Sequence, residues 1–131
     1  MINKLKLLKA TLYLGAAYYL VGACAHYFGL TIFPWFDGRL YTPYHDSVIA
    51  LVAVILALLL ATVVRDPIKN IDVLKTIIFC LIIGSIFSIV IIWKVDFAAL
   101  GASDKNIQTI VEGILGFIYS GALLWLYPRG D

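Results

Sequence analysis

The stretch SVIALVAVILALLLATVV, residues 47–64, decides the fold of this chain. It contains no charged side chain and is bounded by Asp46 and Arg65. A helix needs about 20 consecutive apolar residues to cross the ~30 Å hydrocarbon core of a bilayer. The stretch therefore predicts a membrane-spanning helix.

Three more apolar segments, at about residues 10–31, 76–93 and 107–127, have the same character. The chain is 63% hydrophobic, whereas an ordinary soluble domain is roughly 45–50% apolar. Its mean hydropathy is +0.98. Short connections between consecutive spans favour antiparallel neighbours. We predict an all-α integral membrane protein, an antiparallel four-helix bundle that forms a single domain over residues 1–131.

The basic residues divide unevenly between the two sides of the predicted bundle. One side holds Lys4, Lys6, Lys9, Arg65, Lys69, Lys75 and Arg129, and the other side holds Arg39, Lys94 and Lys105. Short loops rich in Lys and Arg stay in the cytoplasm. We therefore expect both termini inside, loops 32–46 and 94–106 outside, and a location in a prokaryotic cytoplasmic membrane. Because the cations flank spans instead of forming one patch, we expect the lipid bilayer as partner and no nucleic acid.

Two further features bear on how the chain is processed: the segment before the first span, and the two cysteines. A Lys-rich segment before an apolar run resembles a cleaved signal, but Tyr18 and Tyr19 interrupt the apolar core, so we expect the segment to remain as the first span. Cys24 and Cys80 fall at different predicted depths, while a disulfide needs Cα atoms within about 7 Å. We expect no internal disulfide and two buried free thiols.

Small residues recur at helical spacing in every span. Such residues let helix backbones approach closely in lipid, and spacings of three and four residues place them on one face. The predicted packing seams are Gly15, Gly22 and Gly29 in the first span, Ala50, Ala53 and Ala57 in the second, Gly84 and Ser88 in the third, and Gly116 and Ser120 in the fourth. These seams favour helix association.

One group of ionisable residues could bind a ligand or take part in a reaction. It consists of His26, His45, Asp46 and Glu112. With the orientation above, they belong near the outer leaflet. Glu112 lies inside the fourth span, where a carboxylate costs about 2.5–3.5 kcal/mol at the span centre and usually has a partner or a purpose. Three interpretations compete. Glu112 is a hydrogen-bond clasp, protonated or paired with His26; or it is a ligand, proton or metal site; or it reaches the surface.

The same residues leave the question of a cofactor open. If their side chains converge, they could bind a divalent metal, since imidazole nitrogen and carboxylate oxygen are common ligands. A haem held by His26 and His45 is a further alternative, although His45 lies near the membrane edge. Spacing does not show convergence. We therefore predict no cofactor, with a divalent metal as the alternative.

Three short segments resemble the BphX-like family of small four-helix membrane proteins. They are Pro43-Tyr44-His45-Asp46 and Arg65-Asp66-Pro67-Ile68-Lys69-Asn70 at the ends of the second span, and Leu126-Tyr127-Pro128-Arg129 after the fourth. The resemblance covers about residues 40–129 and implies the fold and topology, not an activity. Related proteins carry a His in the third span, where this chain has Ser85 and Ser88.

The sequence leaves three functions open. The leading hypothesis is a non-enzymatic membrane protein, either an accessory subunit of a larger membrane complex or a self-associating homo-oligomer, because the loops are short and no catalytic motif is recognised. The first alternative is a membrane enzyme or a metal or redox protein with an outer-leaflet site of His26, Asp46 and Glu112, with or without His45. The second is a proton-coupled transporter or channel subunit that uses Glu112.

Overall fold

The computed structural model describes residues 3–32 and 36–128, and this part of the chain is all-helical. Its four helices are α1 (Lys4–Phe28), α2 (Pro43–Arg65), α3 (Ile71–Val90) and α4 (Lys105–Leu126), with short 3-10 turns at Gly38–Leu40 and Ile91–Trp93. Each of the four is long and apolar enough to cross a membrane. The prediction of an all-α chain with four apolar spans is confirmed.

The helices begin earlier than the predicted spans. The Asn3 side chain accepts a hydrogen bond from the Leu5 backbone N–H at 2.9 Å, so the Lys-rich segment 4–9 forms the first turns of α1. Thr42 is the N-cap of α2 and Pro43 occupies its first turn, a position that proline favours. The predicted starts at residues 10, 47, 76 and 107 were therefore late, because hydropathy marks the apolar part of a helix and not its caps.

The helices pack in antiparallel pairs. Lys9 of α1 reaches the Arg65 carbonyl of α2 with its Nζ at 3.4 Å. The space above Gly113 of α4 is closed by Ile89 of α3, and that above Gly116 by Ser85. We call the end of the molecule with Asn3, residues 66–70 and Tyr127 the terminal end. The opposite end, with residues 29–32, 36–42 and 94–104, is the loop end.

All four helices share a hydrophobic core near the terminal end. This core is formed by Leu8, Leu12 and Ala16 of α1, Leu60, Val63 and Val64 of α2, Leu74, Ile77 and Ile78 of α3, and Leu123 and Leu126 of α4. A hydrogen bond from the Tyr119 hydroxyl to the Thr11 carbonyl, 3.0 Å long, joins α4 to α1 beside it. Gly15 makes room for that tyrosine, because an added Cβ would overlap the Tyr119 hydroxyl.

Toward the loop end, α1 and α2 share buried alanines, while Phe97 and Ala102 are buried in the connection between α3 and α4. A second cluster contains Ala23 of α1 with Ala50 and Ala53 of α2. In the same half of the molecule, Ser85 of α3 packs on the glycines of α4. The structure is thus two helical hairpins that share an apolar core at the terminal end. The two buried carboxylates of the described chain, Asp37 and Asp46, lie toward the loop end.

The two cysteines are free, and both are exposed at the helix surface. The prediction that they are buried was wrong. Ala23 and Ala25, the two neighbours of Cys24 in α1, are 5% and 1% exposed, so burial there falls on the alanines and not on the cysteine. Cys80 likewise lies off the face of α3 that carries Ile77 and Ile78. Hydropathy alone does not distinguish a surface that meets lipid from one that meets another helix.

Candidate functional site

The central contact of the loop end joins His26 to Asp46. His26 lies in the last turn of α1 and Asp46 in the first turn of α2, so the antiparallel hairpin brings them together. The His26 Nδ1 is 2.6 Å from the Asp46 Oδ1. The Asp46 residue is 5% exposed, whereas the His26 side chain is 26% exposed. Because an ionised carboxylate only accepts hydrogen bonds, the contact places a proton on Nδ1 of the imidazole.

Asp46 also caps its own helix. Its Oδ2 accepts hydrogen bonds from the Thr42 backbone N–H at 2.6 Å and from the Thr42 hydroxyl at 3.3 Å. Asp46 lies four residues after the N-cap Thr42, so its carboxylate reaches back over the first turn of α2 to an N–H that has no partner within the helix. An acidic group in the first turn also interacts favourably with the helix dipole. Both oxygens of this buried carboxylate are therefore engaged, one across the hairpin and one within α2.

An aromatic ring from the α1–α2 loop covers the imidazole. Phe36 is 9% exposed and packs edge-on against His26, with ring centroids 4.3 Å apart and planes at 67°. Phe36 is held by a bridge to Ile32, whose two backbone hydrogen bonds are 3.1 and 3.0 Å long. The sequence analysis did not single out this residue, because one phenylalanine in an aromatic loop carries no signal of its own.

Glu112 is paired within its own helix. The Lys105 Nζ lies 3.6 Å from the Glu112 Oε1, and the side chains are 15% and 26% exposed. The two residues are seven positions apart, which is nearly two helical turns, so they share a face of α4. Among the described residues, no hydrogen bond or ion pair joins Glu112 to His26 or Asp46. The ion pair that the structure gives Glu112 is with Lys105, and its pairing with His26 stays a prediction.

His45 stands apart from the other predicted site residues. It is exposed and packs edge-on against Tyr44, with ring centroids 5.4 Å apart. Residues 43–46 belong to the first turns of α2, where one residue of separation turns a side chain by about 100° from its neighbour. Within residues 3–32 and 36–128, no group of three or more His, Cys, Asp or Glu side chains could hold a metal ion. The four predicted residues thus form one pair, His26 with Asp46, and two separate positions.

A second polar network joins the two outermost loops of the loop end. Arg39 forms hydrogen bonds with both carboxylate oxygens of Asp37 and with both oxygens of Asp104, the latter at 2.9 and 3.1 Å. Its Nη1 also donates to the Gly101 carbonyl at 3.4 Å. Asp37 is 5% exposed, whereas Asp104 is largely exposed. Hydrogen bonds from Arg39 hold the pKa of Asp37 below its ordinary value of 3.8.

This network predicts an acid-sensitive stability. A carboxylate whose pKa is lowered by folding stabilises the folded state above its unfolded pKa of 3.8, and the contribution is lost as the pH falls through the lower folded value. We expect the thermal midpoint in detergent to fall more for the wild type than for Arg39→Gln between pH 6 and pH 3. Lys94→Gln removes a cation from the same end and serves as the control. Identical pH profiles for the wild type and Arg39→Gln would contradict the prediction.

The predicted packing seams are divided between the interior and the surface. Gly15, Ala50, Ala53, Ala57 and Ser120 are buried, Gly116 and Ser88 are half-buried, and Gly29 ends α1 with a φ of 64°. At Gly22 and Gly84, by contrast, an added Cβ meets no heavy atom of the described chain within 4 Å. Gly84 is exposed and Gly22 is half-buried, and neither position makes room for another helix of the described chain.

Comparison with known proteins finds no family model, no curated protein and no solved structure that matches this chain. The resemblance to BphX-like proteins stays a prediction.

Proposed function

We propose that this chain is a small non-enzymatic membrane protein whose polar residues at the loop end hold its helices in place. One observation carries the proposal. Both oxygens of the Asp46 carboxylate are occupied, by His26 at 2.6 Å and by the Thr42 backbone N–H at 2.6 Å. A general base or metal ligand needs an oxygen that is open to substrate or metal. A carboxylate that is engaged through both oxygens, one of them across the hairpin, supports a structural clasp between α1 and α2.

The pairing of Glu112 supports the same proposal. A carboxylate inside an apolar span is costly unless it is paired, and Lys105 supplies an opposite charge at 3.6 Å. The pair lies toward the start of α4, where a lysine side chain can reach the polar boundary of the bilayer. Glu112 thus has a structural role that needs no substrate.

The proposed orientation places the terminal end in the cytoplasm. Six of the described cations, Lys4, Lys6, Lys9, Arg65, Lys69 and Lys75, lie at or near that end. Such a surplus of Lys and Arg beside short connections favours retention on the cytoplasmic side. The proposal is therefore a prokaryotic cytoplasmic membrane protein with both termini inside and the His26–Asp46 clasp toward the outer leaflet.

We further propose that the protein works by self-association in the membrane. At Gly22 of α1 and Gly84 of α3, an added Cβ would enter open space, and neither residue is buried. Glycines on the lipid-facing surface let a second helix approach closely, which is how membrane helices associate without a hydrophobic drive between them. A homo-oligomer formed through these surfaces is the form of the leading hypothesis that we favour.

This proposal predicts that Gly22→Leu and Gly84→Leu each shift the protein toward the monomer without changing its thermal midpoint. Light scattering coupled to gel filtration in mild detergent measures the mass. Gly121→Leu is the matched control, since Gly121 is equally open but lies outside the predicted seams. A wild type that is monomeric, or three variants of unchanged mass, would contradict self-association.

Stoichiometric metal or visible pigment that disappears in a His26→Ala, Glu112→Ala variant would overturn the non-enzymatic assignment.

A further inference from the structure

An open cavity lies at the loop end, where α3 passes through its 3-10 turn into the connection to α4. Its volume is about 340 Å³, and its walls include Trp93, Lys94, Asp96, Phe97 and Asn106. None of these residues takes part in the His26–Asp46 clasp or in the Arg39 network. The cavity is therefore a separate feature of the molecule.

The cavity lies at the end of the third apolar span, where we expect the boundary of the membrane. Trp93 is the last residue of the 3-10 turn that extends the third apolar span, and it is 75% exposed. Tryptophan favours the level of the lipid headgroups, and a lysine next to it commonly marks the same level. Phe97 is buried and supplies an apolar part of the cavity wall. A ligand in this cavity would lie among phospholipid headgroups.

The polar groups of the cavity include a cation, an anion and an unused acceptor. In the described part of the chain, Lys94 has no ion pair, so its ammonium is available to an anion. Asp96 uses its Oδ1 to accept from the Ala99 backbone N–H at 3.1 Å, and its second oxygen remains for another donor. The Asn106 Oδ1 is buried without a hydrogen-bond partner among the described residues. Buried polar atoms are rarely left without a partner, so this one calls for a donor.

We propose that this cavity binds a phosphoethanolamine group, as carried by phosphatidylethanolamine. The phosphate pairs with the Lys94 ammonium. The primary ammonium of the ligand has three N–H donors, which suit the free oxygen of Asp96 and the Asn106 oxygen once its amide turns toward the cavity. The exposed Trp93 ring stacks beside the same cation. A single ligand of this kind complements all the polar groups of the cavity.

The chemistry of the proposal discriminates between lipids. A choline headgroup has the same charges but no N–H donor, and a glycerol headgroup has no cation. Since a hydrogen bond to a charged group is worth enough to change affinity by about tenfold, we expect roughly tenfold weaker binding of phosphatidylcholine and phosphatidylglycerol. We expect this preference for phosphatidylethanolamine to come from binding in the cavity, and not from contact of the protein surface with bulk lipid.

Native mass spectrometry of the full-length protein, delipidated in detergent, tests the proposal by competition among these three lipids. We expect phosphatidylethanolamine to be retained preferentially, and Lys94→Gln and Asn106→Leu each to lose most of that preference. Lys75→Gln, an exposed lysine at the opposite end of α3, is the control and should keep it. A thermal melt of each variant in the same detergent establishes that it is folded.

Two outcomes would overturn the proposal: equal retention of the three lipids by the wild type, or an unchanged preference in a folded Lys94→Gln and a folded Asn106→Leu. If Asn106→Leu does not fold, Lys94→Gln alone decides, since that side chain is exposed. Soluble phosphoethanolamine is added as a competitor to identify the source of the group. If soluble phosphoethanolamine displaces the lipid when both are at the same concentration, the site binds a soluble ligand. If the lipid stays bound, the ligand of the site is the membrane lipid.

Discussion

Asp46→Ala is expected to lower the free energy of unfolding more than any other single substitution of a polar residue at the loop end. The change leaves the His26 Nδ1–H and the Thr42 backbone N–H without their acceptor. Leaving a buried hydrogen-bond donor without its acceptor costs roughly 1–3 kcal/mol. We expect about 3 kcal/mol in total, because two donors lose their acceptor, although the His26 side chain is 26% exposed and water can replace part of its contact.

The control for this change is Asp72→Ala. Asp72 is the acidic residue in the first turn of α3, as Asp46 is in the first turn of α2, but it is exposed. The two variants therefore lose the same favourable interaction with a helix dipole, and they differ in burial and in the partner across the hairpin. We expect Asp72→Ala to change stability by no more than about 0.5 kcal/mol. Equal losses for both variants would remove the basis for a clasp.

A double-mutant cycle separates the clasp from the cap. His26→Ala removes the contact between α1 and α2 but leaves Asp46 bound to Thr42. If the clasp is a coupled pair, the loss in the double variant His26→Ala, Asp46→Ala should be smaller than the sum of the two single losses. Reversible unfolding in mixed micelles, followed by circular dichroism, measures all four forms. Additive losses would show that Asp46 acts through Thr42 alone.

The four spans could be predicted from the sequence because the requirement for crossing a bilayer is simple. A bilayer needs about 20 apolar residues in a row, and each segment meets that condition irrespective of its neighbours. The ends were less predictable. Thr42, Pro43 and Asn3 act through local hydrogen bonds and backbone angles, which lie outside the apolar stretch that hydropathy detects.

The candidate site was predicted in part. Helical spacing placed His26 and Asp46 on the small-residue faces of their spans, and a hairpin brings the end of one helix to the start of the next. The partner of Glu112 was missed, although the sequence contains a signal for it. Lys105 precedes Glu112 by seven residues, which places both side chains on one face of α4. The sequence analysis counts Lys105 only among the charges outside the span.

Convergence in three dimensions was beyond the sequence. Whether His45 faces the clasp depends on where α2 begins, because each residue turns the helix by about 100°. The structure begins α2 at Pro43 and leaves His45 exposed beside Tyr44. The Arg39 network was equally hidden, since Arg39 and Asp104 are 65 residues apart and meet only when both loops reach the same end.

Gly113→Val is expected to separate α3 from α4 and to lower the free energy of unfolding by about 2 kcal/mol. A Cβ added at Gly113 would lie 2.9 Å from the Ser85 carbonyl oxygen and 2.6 Å from the Ile89 Cγ1. The isoleucine side chain can turn away, but a carbonyl in the middle of a helix cannot move without its helix. Overpacking of this kind typically costs about 1–3 kcal/mol.

Gly84→Val on the facing helix is the matched control and completes the argument. Both glycines lie within apolar spans, and both substitutions add the same isopropyl side chain to a helix. At Gly84 no heavy atom of the described chain lies within 4 Å of an added Cβ. Glycine is a poor helix former, so this variant should be neutral or slightly stabilised for the monomer. Thermal unfolding in dilute detergent compares the two. A loss at Gly84 as large as that at Gly113 would mean that the penalty comes from the valine itself, and the close approach of Ser85 to α4 would then not be what holds this hairpin together.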